Sequence, residues 1–599
     1  MSARYPAIAD HGIIGDLETA ALVAVDGTID FLCLPSFDSP SVFLSILDAE
    51  RGGSFAVEAQ IEDARRDQRY LRDTNVLVTR TIGAAAEVAL YDFMPVPRRP
   101  SPSRIVRLVR VTSGLARIRC VCAPRFDYAR GTHSVTITGS SATFTSAGGV
   151  RLRLTTTAPV TTDGRDVAVD VELVAGQEVA FVLERLGEQD DPGVAPRHYA
   201  RRALRQTVVF WRRWIAKTRC EGEWRGAVRR SALTLKLLQS RRTGAMVASP
   251  TLGLPEQIGG SRNWDFRYAW IRDSAFTVYA LGRVGLGREA SAFAEWVVER
   301  CAEAKSPGEL QSIYTIEGGR EIVERTLDHL EGYAGSRPIR IGNAAYDQLQ
   351  LDIYGELLDA LHQRDEQGER PSGALWRRIV ELTDWVARNW SRADQGIWEV
   401  RSGCQEFLYS RMMCWVALDR ALRMASRRRL AAPREQWRAT RDAIRSDVDE
   451  HFWSASLEAF VGTRDGDSID AACLVMPLVG FIGATDPRWR STLRAVEARL
   501  VHDGMVRRYE MTGMDTDAGS TAAPSFTVCS FWYVECLARG GERERARLTM
   551  KRLLDRANHL GLYSEDLGVS GEQLGNFPQG LTHSALIGAA LALAEPSPG

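Results

Sequence analysis

Two segments far apart in the chain carry carboxylates that could do acid–base chemistry. In Asp394-Gln-Gly-Ile-Trp-Glu-Val-Arg401, Glu399 stands between Trp398 and Val400. Such neighbours would partly desolvate a carboxyl and raise its pKa, as a general acid near neutral pH requires. The same pattern also fits a surface glutamate that follows a tryptophan. The segment Leu562–Gln579 offers Glu565, Asp566 and Glu572. Carboxylates on two sides of a sugar-lined pocket suit glycosidic bond hydrolysis, one protonating the leaving oxygen while the other activates water or attacks. Periodicity does not choose which of these three acids would be the base.

A third segment, Arg262-Asn-Trp-Asp-Phe-Arg-Tyr-Ala-Trp-Ile-Arg-Asp273, interleaves the rings of Trp264, Phe266, Tyr268 and Trp270 with Asp265, Arg267, Arg272 and Asp273. Core packing explains rings but not charges in the same span. An adjacent Arg272-Asp273 can donate to one sugar hydroxyl and accept from its neighbour, while an indole covers the apolar face of the ring. The glycine-rich stretch Leu310–Gly342 leads to further polar groups, Arg337, Arg340, Asn343 and Gln348. It lacks the preceding strand and Gly-Lys-Ser/Thr of a phosphate loop. Two more long loops, Gly462–Asp470 and Asp503–Ser525, are acidic and Gly/Ser-rich; Asp465-Gly-Asp467 lacks the remaining oxygen ligands of a calcium loop, which leaves these a solvated loop or pocket rim.

These residues need elements to bring them together. Up to about residue 190, short β-branched runs alternate with Gly, Asp and Ser turns: Ala21–Val25, Ile105–Thr112, Leu115–Val121, Ser134–Thr138, Val150–Thr156 and Val167–Val174. Asp26-Gly27 reads as a hairpin turn. This spacing predicts an antiparallel β-sandwich over residues 1–197, with no row of exposed aromatics to make it a carbohydrate-binding module. An arginine- and tryptophan-rich linker helix follows, Tyr199–Lys217 within residues 198–223. Residues 224–599 then read as twelve helices: Trp224–Ser240, Asp273–Val284, Arg288–Ala304, Ala344–Gln363, Ala374–Asn389, Ser410–Ser426, Arg434–Phe452, Ala471–Phe481, Pro487–His502, Phe526–Arg539, Arg543–Asn558 and Thr582–Ala594. Short and long links alternate between them. Six helical hairpins joined in this way imply a closed ring of inner and outer helices, with the long loops gathered at one end around a pocket.

Composition excludes several classes. Of 599 residues, 76 are basic and 76 acidic, so there is no electrostatic footprint for nucleic acid or an anionic membrane. A hydrophobic share of 45% with 25% charged residues excludes disorder and fibrous folds. No run approaches the ~20 apolar residues of a membrane helix, and the first residues lack the basic start and apolar core of a signal peptide. The ten cysteines and nine histidines show no zinc-ligand spacing. These features lead to the expectation of a cytoplasmic protein without a metal or other cofactor. They leave its oligomeric state open.

Across nearly the whole chain the motifs resemble the glucoamylase family of glycoside hydrolases, family 15, in particular a bacterial branch that includes trehalases. The resemblance rests on Ile8-Ala-Asp-His-Gly12, Asp38-Ser-Pro-Ser-Val-Phe43, Arg262-Asn-Trp-Asp265, Tyr268-Ala-Trp-Ile-Arg-Asp273, Arg337-Pro-Ile-Arg-Ile-Gly-Asn343, Gly396-Ile-Trp-Glu-Val-Arg401 and Gly575-Asn-Phe-Pro-Gln579. It implies an N-terminal β-sandwich followed by an (α/α)6 barrel. It also implies Glu399 as general acid, Glu565 as general base ahead of Glu572, and a substrate-binding set of Trp264, Asp265, Tyr268, Trp270, Arg272, Asp273, Arg337, Asn343 and Trp398. Asp566 and Phe266 depart from common family residues, and Phe266 lacks the hydroxyl that many relatives place there. The implied reaction is inverting and exo-acting on a small α-glucoside, releasing β-glucose, with the two carboxyls ~6.5–9.5 Å apart. Trehalose is the favoured substrate. A glucoamylase-type hydrolase of malto- or isomalto-oligosaccharides is the alternative, and a disaccharide phosphorylase or a non-catalytic glycan-binding protein is more distant.

Overall fold

The computed structural model describes residues 4–96, 102–187, 193–304, 306–510 and 524–595. Part of the expected long loop Asp503–Ser525, residues 511–523, lies outside them. The N-terminal region is an antiparallel β domain whose strands run from His11–Gly15 to Glu178–Arg185. The expected turn at Asp26-Gly27 joins Ala20–Ala24 to Thr28–Cys33, with Gly27 at φ +89° and the Asp26 carboxylate accepting from Thr28 N at 2.8 Å. Ile105–Thr112 and Leu115–Val121, expected as separate strands, belong to one strand, Arg104–Ala123. Its first half pairs with Ala86–Phe93 and Glu178–Arg185, its second with Ser54–Gln60 and Val167–Val174. This single strand therefore ties two layers together. Gly114 sits at the changeover with φ +72°, where a Cβ would lie 1.9 Å from Ala85 O.

The linker helix spans Pro196–Ile215. It opens on a proline, whose missing N–H costs nothing in the first turn, and buries Ala200, Ala203, Trp211 and Trp214. The Trp214 indole donates to Glu289 at 2.7 Å, fastening the linker to a barrel helix, Gly287–Glu303.

The C-terminal region is an (α/α)6 barrel. Its inner ring runs from Ile271–Arg283 through Asp352–Glu366, Leu408–Arg428, the short segment Ala471–Val475, Thr527–Arg539 and Gly580–Ala594, and the last packs back on the first. Inner helices such as Gly580–Ala594 are buried on nearly every side. An outer helix such as Arg434–His451 buries only the stripe Trp437, Ile444 and Val448, the pattern of a helix with one wet face. Two expected helices are corrected. Ala471–Phe481 is only a 3-10 turn, Ala471–Val475, because Pro477 cannot donate to a helical ladder and Gly480 turns left-handed at φ +72°. Ala344–Gln363 divides into a 3-10 turn, Ala344–Asp347, and a helix, Asp352–Glu366. Here Asn343 caps the turn at Ala345 N, and Asp394 takes Leu351 N at 2.8 Å. Among the described residues no helix is long and apolar enough to cross a membrane.

The β domain grips the barrel just behind its loops. Arg267, from the first long barrel loop, is fully buried against Asp265 at 2.7 Å. It also reaches Ser39 O at 2.6 Å, Cys33 Sγ at 3.3 Å and the Tyr128 hydroxyl at 3.0 Å in the β domain. The Asp38 carboxylate accepts from Ile316 N at 3.0 Å in the second loop. Removing one partner of a buried ion pair leaves the other uncompensated. Arg267→Leu is therefore expected to destabilise the protein by about 3–5 kcal/mol, read as a lower urea midpoint. An unchanged midpoint would show that the pair carries no such charge burden.

Candidate active site

The long loops converge on one open cavity, about 1020 Å³ including its mouth, lined from five of the six loop regions. Both Glu399 and Glu565 line it, together with Trp264, Trp270, Arg272, Asp273, Asn343 and Trp398. The remaining region reaches the site through Asp470, whose carboxylate accepts from Trp398 Nε1 at 2.9 and 3.0 Å. Thus Trp398 is turned to stack edge-on against Phe526. The indole that touches Glu399 is that of Trp270.

Glu399 sits after Gly396 in a tight turn and itself adopts φ +56°, a left-handed backbone that is costly for a glutamate. Gln348 holds its carbonyl at 3.2 Å. Trp270 Nε1 donates to Glu399 Oε1 at 2.7 Å, and Arg272 reaches the same oxygen at 3.4 Å. Both contacts fall on one oxygen, Oε1. Arg272 also donates to Ile397 O at 2.9 Å and pairs with Asp273 at 3.2 Å. That fixes the Arg-Asp pair at the start of helix Ile271–Arg283, in the cavity wall.

Glu565 is buried to 3% exposure. Arg508 donates to its Oε1 at 3.0 Å, to Asp566 at 3.1 Å and to Glu256 at 3.4 Å. Glu565 Oε2 has no hydrogen-bond partner. Burial and the nearby Glu256 push the Glu565 carboxyl well up from its ordinary value, against the pull of Arg508. Asp566, buried beside the same arginine, is pushed up to about 7. Glu256, Glu565 and Asp566 bring oxygens within 4.8 Å of one another, the spacing of a cation site. Arg508 already supplies the positive charge between them.

Several expected site residues stand elsewhere. Asp265 is fully buried under the cavity, paired to Arg267 and accepting from Gly342 N at 3.1 Å, so it braces the loop that presents Asn343. Tyr268 packs in a satellite core with Trp270, Ile313 and Ile322 and does not line the cavity. Arg337 points outward to Glu331 O at 3.0 Å. Glu572 is exposed and closes a local turn on Ser570 N. Asn343 lines the cavity, but its oxygen is committed to Ala345 N. Trp264 donates to Glu256 at 3.0 Å, and its ring lies under Arg340 and Arg401.

Sequence reading passed over Glu256, Arg508, Tyr509 and Gln579, which also line the cavity. Arg508 stood in a loop read only as an acidic rim. Its one signal was a lone Arg-Tyr pair in that otherwise Gly- and Asp-rich loop.

The family model described as glycosyl hydrolases family 15 matches residues 222–591. The chain belongs to this family. A second model, described as trehalase-like, N-terminal, matches residues 1–202. A protein of Thermoplasma volcanium named trehalase is 36% identical over 99% of this chain and 94% of its own length. One of Mycobacterium tuberculosis with the same name is 36% identical over 98% of this chain and 89% of its own. Among solved structures, a bacterial glucoamylase complexed with acarbose covers 98% of this chain and 94% of its own at a TM-score of 0.73 and 12% identity, a likeness of fold. This family 15 member is a glycoside hydrolase, and the converging loops form the sugar-sized hollow that such an enzyme needs.

Gly575 gives the sharpest handle on this geometry. It has φ +72°, and a Cβ there would stand 2.7 Å from Glu565 Oε2 and 2.8 Å from Glu565 Cβ. Gly575→Ala is expected to cost about 1–2 kcal/mol in stability yet lower turnover by roughly 100-fold, the effect of a carboxyl displaced by about 1 Å. Turnover equal to the parent protein would show that Glu565 need not hold this position.

Proposed function

We propose that the protein is a trehalase that hydrolyses α,α-trehalose to two glucose molecules with inversion, Glu399 acting as general acid and Glu565 as general base. The observation that carries this reading is that two glutamates 166 positions apart in the sequence line one cavity. Each is held by its own donors and has one oxygen left over for chemistry. The full-length likeness to proteins named trehalase supports trehalose as the substrate.

In the proposed reaction, the glucose ring to be attacked lies against Trp270 and Trp264 with its hydroxyls on Arg272-Asp273. Asp273 accepts and Arg272 donates, the complementarity a vicinal diol needs. Glu399 delivers its proton to the glycosidic oxygen as the bond to the anomeric carbon breaks. Glu565 takes a proton from a water that attacks the same carbon from the opposite face. The raised basicity of Glu565 strengthens its hold on that proton, and Arg508 keeps the carboxylate populated in its ionised form. Phe266, T-shaped against Trp270 at 5.5 Å, adds an apolar wall to the hollow. Ten cysteines, all free thiols, support action in a reducing, cytoplasmic setting.

The test is a parallel assay of trehalose, maltose, isomaltose and soluble starch, with early product anomers followed by proton NMR. Trehalose should be the preferred substrate. Inversion at one of its two α centres releases one β-glucose and one α-glucose in the first turnovers. Two α anomers would sink inversion, and faster release from maltose or starch would move the assignment to a glucoamylase.

The pH profile follows from the same arrangement. The base works ionised and its pKa is raised, so activity should fall on acidification at a pH above the ordinary carboxylate range. Arg508 opposes that rise. Arg508→Gln should therefore move the acid limb of kcat/KM upward by at least about one pH unit; an unmoved or lowered limb would refute the tuning role.

A further inference from the structure

A second cavity lies deeper along the barrel axis. The inner helices that frame the catalytic hollow also line it, one to three turns further on. Helix Ile271–Arg283 sets Arg272 and Asp273 in the first cavity and Phe276 and Tyr279 in the second. Helix Gly580–Ala594 gives Leu581 to the first and Ser584, Ala585 and Gly588 to the second.

The walls of this deeper cavity are mostly apolar. Phe276 and Trp532 face one another there with ring centroids 5.8 Å apart. Three acids interrupt them: Glu356, Asp359 and Glu535. Asp359 is paired to Arg420 at 2.6 Å and Glu535 to Arg539 at 2.6 Å. Glu356 is different. It is 3% exposed, its Oε1 accepts from the Tyr409 hydroxyl at 2.9 Å, and its Oε2 has no partner. One helical turn away, Asp352 is fully buried with both carboxylate oxygens unpartnered.

Burial and the neighbouring Asp352 push the Glu356 carboxyl well up from its ordinary value, so an ionised Glu356 needs a cation beside it, and its donor-free oxygen needs a donor. A metal ion would need several such oxygens at ligand distance. Among the described residues, the carboxyl group with that spacing is the Glu256, Glu565 and Asp566 cluster elsewhere. A compact ammonium group carried on a short apolar body matches what is here, because aromatic faces attract cations and shelter alkyl chains.

We propose that the deeper axial cavity is a binding site for a small primary alkylammonium ion, with Glu356 as counter-ion and Phe276, Tyr279 and Trp532 as its walls. The site is distinct from the catalytic hollow and does not depend on which sugar that hollow takes.

The probe is n-butylammonium chloride, titrated into the full-length protein by calorimetry with n-butanol as the uncharged control. The expected result is saturable binding of the ammonium, at least tenfold tighter than the alcohol. It should be retained in a Glu399→Gln/Glu565→Gln double variant and weakened at least tenfold in Glu356→Gln. Ala585→Leu, which fills the cavity from the neighbouring helix, should also abolish binding while the thermal unfolding midpoint shows the variant folded. Equal affinity for butanol, loss of binding in the double variant, or full binding in either Glu356→Gln or folded Ala585→Leu would overturn the proposal.

Discussion

A buried glutamate with one oxygen unsatisfied stays ionised only if something nearby offsets its charge. Arg508 does so for Glu565, and it does so for Glu256 and Asp566 at the same time. Three carboxyls and one guanidinium in a low-dielectric wall make a strongly coupled group, stabilised only while every member is present. Around this group the rest of the wall is arranged. Trp264 donates into Glu256, Arg262 pairs with it at 2.8 Å, and Gly575 leaves the space that the free oxygen of Glu565 occupies. The cavity wall around Glu399 is arranged differently. There one oxygen of Glu399 takes both Trp270 and Arg272, and its strained backbone is held by Gln348. The two carboxyls thus sit in different surroundings: Glu565 is desolvated among like charges, and Glu399 is oriented by one neutral and one cationic donor.

The barrel alone does not place these walls. The first loop carries Trp264, Trp270, Arg272 and Asp273 in a short span, and its conformation depends on the Asp265–Arg267 pair beneath it. Arg267 in turn needs Ser39, Cys33 and Tyr128 from the β domain to satisfy its remaining donors. Asp265 also takes Gly342 N, tying the second loop to the first. The β domain is therefore part of the wall's foundation. This gives a physical reason for its place in the chain.

Much of this organisation was legible in the primary structure. Two periodicities separated the β domain from the helical ring, because a strand repeats every two residues and a helix every 3.6. Proline and glycine punctuation set most helix ends, and the alternation of short and long links already implied one working face. Where helix reading failed, at Ala471–Phe481, the breaker Pro477 was visible but outweighed by apolar spacing. Glu399 and the Arg272-Asp273 pair stood out because acids and rings share short spans that packing alone does not require, whereas only the family resemblance chose Glu565 over Asp566 and Glu572.

The tertiary structure decided what periodicity could not. Asp265, Tyr268 and Arg337 have residue types suited to sugar binding, yet they serve respectively as a buried brace, a core ring and a surface contact. Conversely, Arg508 and Glu256 looked ordinary until folding set them 3.4 Å apart beside Glu565. The reason is that local sequence governs backbone shape through short-range sterics, whereas the direction a loop side chain takes is fixed by partners hundreds of residues away. The chain could announce which chemistries it carries; only the closure of the ring chose which of them share a cavity.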